Sequence, residues 1–249
     1  MRQLALGVTL RANAVFENFS AGPNVELLAA LRSPATDPLW LWGSRGCGKT
    51  HLLQAACAAA GGPAAYIGIA ARAAPEIPGA APEALPPEAL QGLADCRVVC
   101  VDDTAAAAGD LDWEQALFRL FNEAQESGAR LLFAADRAPR QIDWRLDDWR
   151  SRAAACVVYQ VRELDEAGRG EALRLRAEQR GLDLPQETLE YLMKRLPRDL
   201  RSLFEILDEL DEASLAAQRR LTIPFIREAL EKHAGTGSWS RTTRTPGAG

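Results

Sequence analysis

The sequence predicts an α/β protein: a parallel five-stranded sheet covered by helices, followed by a small all-α module. Three observations predict it. Short apolar runs alternate with helix-period segments as far as Val161, the pattern of parallel strands joined by helical crossovers. A glycine-rich loop joins the first of these runs to a helix. Beyond Val161 the strand-like runs cease, and from Asp165 to His233 only helical periodicity continues.

A helix is expected over 23–31, with Pro23 at its start and Leu27, Leu28 and Leu31 on one face. Leu39-Trp40-Leu41-Trp42 reads as a short buried strand running into the glycines of 43–48. A helix follows from Lys49 to about Ala60 and stops at Gly61-Gly62. Residues 65–69 form a second strand. Residues 70–87 carry Pro75, Pro78, Pro82, Pro86 and Pro87, which bars a regular helix or central strand and predicts an irregular surface connection. Residues 97–103 form a β-rich run ending in Asp102 and Asp103. Ala116, Leu117, Leu120, Phe121 and Ala124 mark one stripe of an amphipathic helix over 112–127. Residues 131–135 and 156–161 supply the last two strands. The helical module breaks at Gly181, Pro185, Pro197 and Pro224. The tail, 234–249, is rich in Gly, Ser and Thr and is expected to be disordered.

Composition limits function. With 249 residues, 47% of them hydrophobic and 25% charged, the chain can bury a real core. Lys plus Arg number 29 against 34 Asp plus Glu, a net charge of -5, which speaks against a surface that clings to nucleic acid throughout. No two of the five cysteines have CxxC spacing, and the two histidines, His51 and His233, lie far apart, so a zinc site is not expected. No apolar run approaches the ~20 residues that span a bilayer, and the first residues lack a signal peptide's apolar stretch. A cytoplasmic protein without a membrane partner is expected.

Gly43-Ser44-Arg45-Gly46-Cys47-Gly48-Lys49-Thr50 fits G-x-x-x-x-G-K-[ST], between an expected strand and an expected helix. Gly43, Gly46 and Gly48 let backbone N–H groups turn toward phosphates, and the helix N-terminus adds positive potential. Lys49 would lie against the β- and γ-phosphates and Thr50 would offer its hydroxyl to Mg²⁺. Asp102 would hold the same Mg²⁺ through water, and Asp103 could orient an attacking water. Two carboxylates after a strand are common in any turn; it is their pairing with the loop that points to a nucleotide. Cys47 reads either as a thiol activated by the helix N-terminus or, more simply, as a small residue in a tight loop.

A phosphate loop and sheet followed by a helical module resemble the AAA+ ATPases, and particular segments narrow the resemblance to the DnaA-related ones. Val15-Phe16-Glu17-Asn18-Phe19 with Gly22-Pro23-Asn24 resembles their adenine-side box, which implies nucleotide contacts for Phe16, Phe19 and Asn24. Residues 48–55 resemble their phosphate-loop helix, and Asp136-Arg137-Ala138-Pro139 resembles the segment after their sensor 1 strand. From Leu173 through Phe225 the module is similar to the lid of the regulatory homologues that lack the initiator's DNA-binding domain. The resemblance spans about residues 3–232. It implies a clamp-binding peptide in 1–12, a nucleotide-binding domain in 13–162 and a lid in 163–233.

It also implies roles and partners. Gln3, Leu4 and Leu6 match a peptide that docks on the DNA polymerase III sliding clamp, alternate side chains entering pockets. Arg198 matches the lid arginine that reaches the phosphates, with Arg201 one turn further as its rival. Arg152 matches the arginine finger, which supplies positive charge to a neighbouring subunit's transition state. ADP or ATP with Mg²⁺ is the implied cofactor. The DnaA initiator is the implied partner, DNA is met only indirectly, and room is left for a homodimer. In this chain Ala134 stands near where the family has Thr or Ser, and Asp103 stands where many AAA+ ATPases have glutamate. A chain that binds nucleotide and hydrolyses it poorly is expected, its bound nucleotide, as ADP, fixing the angle between the modules. The acidic residues Glu205, Asp208, Glu209, Asp211 and Glu212 on one helix favour a protein partner over DNA. The rival functions are an autonomous ATPase or helicase-loader-like factor, and, less well matched, a small-molecule kinase.

Overall fold

The computed structural model describes residues 14–70, 72–73, 83–196, 200–217, 219 and 221–235. The chain divides into two compact units, Met1–Asp165 and Glu166–Gly249. In the first, strands β1 (Leu39–Trp42), β2 (Ala64–Gly68), β3 (Val98–Asp102), β4 (Arg130–Ala135) and β5 (Val157–Gln160) form one sheet in the order β2-β3-β4-β1-β5. All four pairings are parallel. The order places the exits of β1 and β3 on either side of β4, with the phosphate loop at one and the paired aspartates at the other.

Alternation along the strands divides the core in two. Leu39, Leu41, Val98, Cys100, Leu132 and Ala134 pack on one face against α1 (Val25–Arg32) and α2 (Lys49–Ala58). Trp40, Ile67, Val99, Val101 and Phe133 pack on the other against α3 (Leu111–Ser127) and α4 (Asp147–Ala155). The edge strand departs from the expected burial: Val157 and Val158 are 44% and 40% exposed, because β5 pairs only with β1.

Local chemistry fixes the helix ends. The Asp110 carboxylate accepts the N–H groups of Asp112 and Trp113 at the start of α3, and Gly128, at φ 78°, ends it. Helix α4 was not foreseen. Only Trp149 and Ala153 of its residues are buried, too few for a visible apolar stripe, whereas Asp147 and Asp148 in its first turn and Arg152 in its last suit the helix dipole. Trp149 locks it down within a group of rings, 5.5 Å from Phe133 and 5.8 Å from Trp144.

Within 70–87, Arg72–Ala73 and Glu83–Ala84 pair as a two-residue antiparallel ribbon; residues 71 and 74–82 lie outside the described residues.

The second unit contains α5 (Glu166–Gln179), α6 (Gln186–Arg195), α7 (Leu200–Ala217) and α8 (Ile223–Gly235) around Leu173, Leu192, Leu203, Leu207, Leu210 and Ile226. The break expected at Pro224 falls just before it, between the end of α7 at Ala217 and the start of α8 at Ile223. Pro224 lies in the first turn of α8, where its missing N–H has no intrahelical partner to lose. The acidic run on α7 is also less bare than its sequence suggests. Asp208 pairs with Arg176 and Arg180 at 2.9 Å, and Asp211 with Arg180 at 3.1 Å, because Arg176 in the last turn of α5 and Arg180 just past its end face it. Helix α8 continues through Gly235, into the first two residues of the expected tail, and 236–249 lie outside the described residues.

Candidate functional site

The chain leaves β1 at Trp42 and turns at once. A Cβ on Gly43 would lie 2.5 Å from the Val161 carbonyl oxygen, so only glycine admits this approach. Gly46 and Gly48 have φ of 86° and 102°, the left-handed conformations that turn successive N–H groups inward. Lys49 opens α2 and folds its side chain back across the loop, donating to the carbonyl oxygens of Gly43 and Ser44 at 2.8 Å each. An ammonium thus stands at the mouth of a ring of backbone amides at a helix N-terminus, a site built for phosphate. Cys47 lies 3.8 Å from that ammonium, yet burial outweighs it and raises the thiol pKa. It is a protonated small side chain in a tight loop, the simpler of its two readings.

The side chain of Thr50, one residue further along α2, donates to Asp102 Oδ2 at 2.5 Å. The loop and the end of β3, 52 residues apart, therefore meet. Asp102 is 2% exposed and accepts two further hydrogen bonds: Tyr66 Oη also donates to Oδ2, at 2.8 Å, and the Asp103 N–H donates to Oδ1 at 2.9 Å. Asp103 has φ 52°, the single positive value among the described non-glycine residues. Burial first, then the Asp102 charge, raises its carboxyl pKa, while Lys49 and Arg45 lower it. Adjacent hydroxyl and carboxylate oxygens fit a hard cation. Among the described residues no three His, Cys, Asp or Glu side chains form a metal cage. The Thr50 and Asp102 oxygens would be enough for Mg²⁺, which takes one or two protein oxygens and keeps water and phosphate for the rest.

The adenine-side box folds onto the same helix. Phe19 lies against the loop, where a Cβ on Gly48 would be 2.7 Å from its ring, and its ring centroid is 5.9 Å from that of His51. Phe16 is 5% exposed inside the core, its ring beneath Arg32. Asn24 is buried and exchanges two hydrogen bonds with the backbone of Arg162, at 2.8 and 2.9 Å. Of the three, Phe19 lines the loop, while Phe16 and Asn24 build its support.

Arg152 stands apart, in the last turn of α4, half-buried with its guanidinium 5.7 Å from the Phe121 ring centroid. No carboxylate among the described residues pairs with it. Gln3, Leu4, Leu6 and Arg198 lie outside the described residues, and of Arg201 only the backbone, in α7, is described. Ala134 is wholly buried in β4.

The sequence reading missed two residues that shape the site. Tyr66 is one. The other is Glu114, wholly buried on α3, which accepts N–H groups of Gly109, Arg145 and Leu146 and so holds the start of α4. A charged residue inside the apolar stripe of α3 was the available signal for Glu114. Tyr66 had none, since strand adjacency is not written in the sequence.

Residues 165–230 match the family model described as Hda, lid domain. Among solved structures, domain III of the replication initiation protein DnaA of Thermotoga maritima is 22% identical, with a TM-score of 0.71 over 90% of this chain and 98% of that one. AMPPCP-bound DnaA of Aquifex aeolicus is 21% identical, with a TM-score of 0.68 over 92% of this chain and 71% of that one. The Holliday junction branch migration motor RuvB of Thermotoga maritima is 14% identical, with a TM-score of 0.58 over 82% and 64%. These likenesses establish the fold: an α/β AAA+ sheet domain followed by a helical lid. No helix among the described residues is long and apolar enough to cross a membrane.

Proposed function

We propose that this chain, an AAA+ protein related to Hda and DnaA, is a negative regulator of replication initiation that binds ADP or ATP and drives hydrolysis of ATP held by the DnaA initiator. The observation that carries the reading is the Thr50–Asp102 contact beneath the glycine loop, in a chain whose second unit matches an Hda lid. Gly43, Gly46 and Gly48 wrap the phosphates with backbone amides, Lys49 balances their charge, and Phe19 borders the base side. Thr50 and Asp102 are the residues that would hold Mg²⁺, which when bound neutralises charge on the phosphates. In this reading Arg198 would meet the same phosphates, the role that its match to the family's lid arginine implies.

The chain's own hydrolysis is weak in this reading, because Ala134 offers no hydroxyl to position water. The nucleotide is then a structural ligand. Catalysis occurs on the partner: Gln3, Leu4 and Leu6 hold the chain to the sliding clamp, and Arg152 meets the charge that develops on the transferring phosphoryl group of DnaA-bound ATP. An arginine in that role contributes about 10³–10⁵ in rate. DNA enters through the clamp and the initiator, which fits a net charge of -5.

The test is hydrolysis of DnaA-bound ATP with clamp and DNA present. Wild type should stimulate it and folded Arg152→Ala should not. Full stimulation by Arg152→Ala removes the assigned role. Robust ATP turnover by the chain alone would instead favour an autonomous ATPase or helicase-loader-like factor. Mass spectrometry of the purified protein should find bound ADP.

A further inference from the structure

We propose that Tyr66 is a positioning residue for magnesium: its phenol fixes the Asp102 carboxylate in the one orientation that serves a metal held by Thr50. The inference rests on the reading of the loop as a nucleotide site and concerns a residue outside the loop and its aspartates.

The geometry begins with the sheet. In the parallel pairing of β2 and β3, Gly68 stands opposite Asp102 and Tyr66 opposite Cys100. Period-two alternation puts Tyr66, Gly68, Cys100 and Asp102 on one face. A diagonal neighbour is about 7–8 Å away, beyond a short side chain and within reach of an aromatic one. Gly68 has no side chain to fill the position facing Asp102. The Tyr66 ring reaches along that lane and donates its hydroxyl to Oδ2 at 2.8 Å.

The consequence follows from counting lone pairs. Each carboxylate oxygen has two in-plane acceptor positions. Thr50 and Tyr66 occupy both on Oδ2, and the Asp103 N–H occupies one on Oδ1. One position is left, on Oδ1, and the carboxylate cannot rotate without breaking a charge-assisted hydrogen bond in a site that is 2% exposed. Asp102 is thereby held as an acceptor for Thr50 and for one metal-bound water.

The test compares ATP affinity with Mg²⁺ and with EDTA, by calorimetry, in wild type, Tyr66→Phe and Tyr66→Leu, with circular dichroism confirming each fold. Hydrogen bonds to charged groups are strong enough that Tyr66→Phe should shrink the gain from Mg²⁺ by roughly fivefold or more, leaving affinity in EDTA unchanged. Tyr66→Leu, which also removes the ring, should lose the same gain. An equal loss with and without metal makes the ring mere packing and overturns the proposal, as does an unchanged or enlarged Mg²⁺ gain. Failure of wild type to bind ATP in either condition overturns the nucleotide reading itself, and the inference with it.

Discussion

The buried carboxylate of Glu114 accepts the N–H of Leu146 at 2.7 Å, tying the first turn of α3 to the residue that caps the start of α4. Its other oxygen accepts the N–H groups of Gly109, at 2.9 Å, and Arg145, at 3.2 Å. One side chain thus anchors the helix that carries Arg152.

Glu114→Ala should therefore destabilise the protein by about 3 kcal/mol, because three backbone donors lose their buried acceptor together. Urea denaturation followed by tryptophan fluorescence measures it. Glu114→Gln keeps an acceptor oxygen and should lose less. Stimulation of DnaA-bound ATP hydrolysis should fall with Glu114→Ala even where the variant remains folded, since α4 is no longer fixed at its start.

Asp103 predicts a pH dependence. Its folded pKa is raised, so across the window from the ordinary carboxylate pKa up to the raised value the folded state holds more proton than the unfolded state, and stability falls as pH rises. Above that window the penalty is fully present; below the ordinary value it is absent. Asp103→Asn should raise the melting temperature at pH 7, helped by the tolerance of asparagine for φ 52°. The gain should disappear in scanning calorimetry near pH 3, and a gain independent of pH would assign it to backbone conformation alone.

Gly48→Ala should damage the loop doubly. The left-handed φ of 102° strains any Cβ, and that atom would meet the Phe19 ring at 2.7 Å. Displacing Phe19 and the loop should weaken ATP binding by roughly tenfold or more, about 1.4 kcal/mol. Calorimetric titration with ATP and Mg²⁺ checks this.

Asn24→Ala separates a structural clip from a ligand contact. Loss of both hydrogen bonds to the Arg162 backbone should reduce stability by about 2 kcal/mol in thermal or urea unfolding. Unchanged stability with collapsed ATP affinity would make Asn24 a ligand residue instead.

The sequence by itself determined the strand–loop–helix unit from Leu39 to Ala58, the strand ending in Asp102 and the change to helices after Val161. Glycine positions, apolar runs and 3.6-residue stripes are local, and local chemistry decides them. Helix α4 escaped because two buried residues make no stripe; its stability comes from Trp149 among other rings and from Glu114, both long-range. Pro224 marks the break between α7 and α8 because a proline suits the first turn of the helix it opens. Only the tertiary structure decided which distant groups meet. The order β2-β3-β4-β1-β5 brings Thr50 to Asp102 and places Tyr66 beside it, and in the second unit helix packing turns Arg176 and Arg180 toward the acids of α7. Strand order and helix packing are settled by burying apolar faces across the whole chain, and side-chain partnerships follow from that burial rather than from spacing along the sequence.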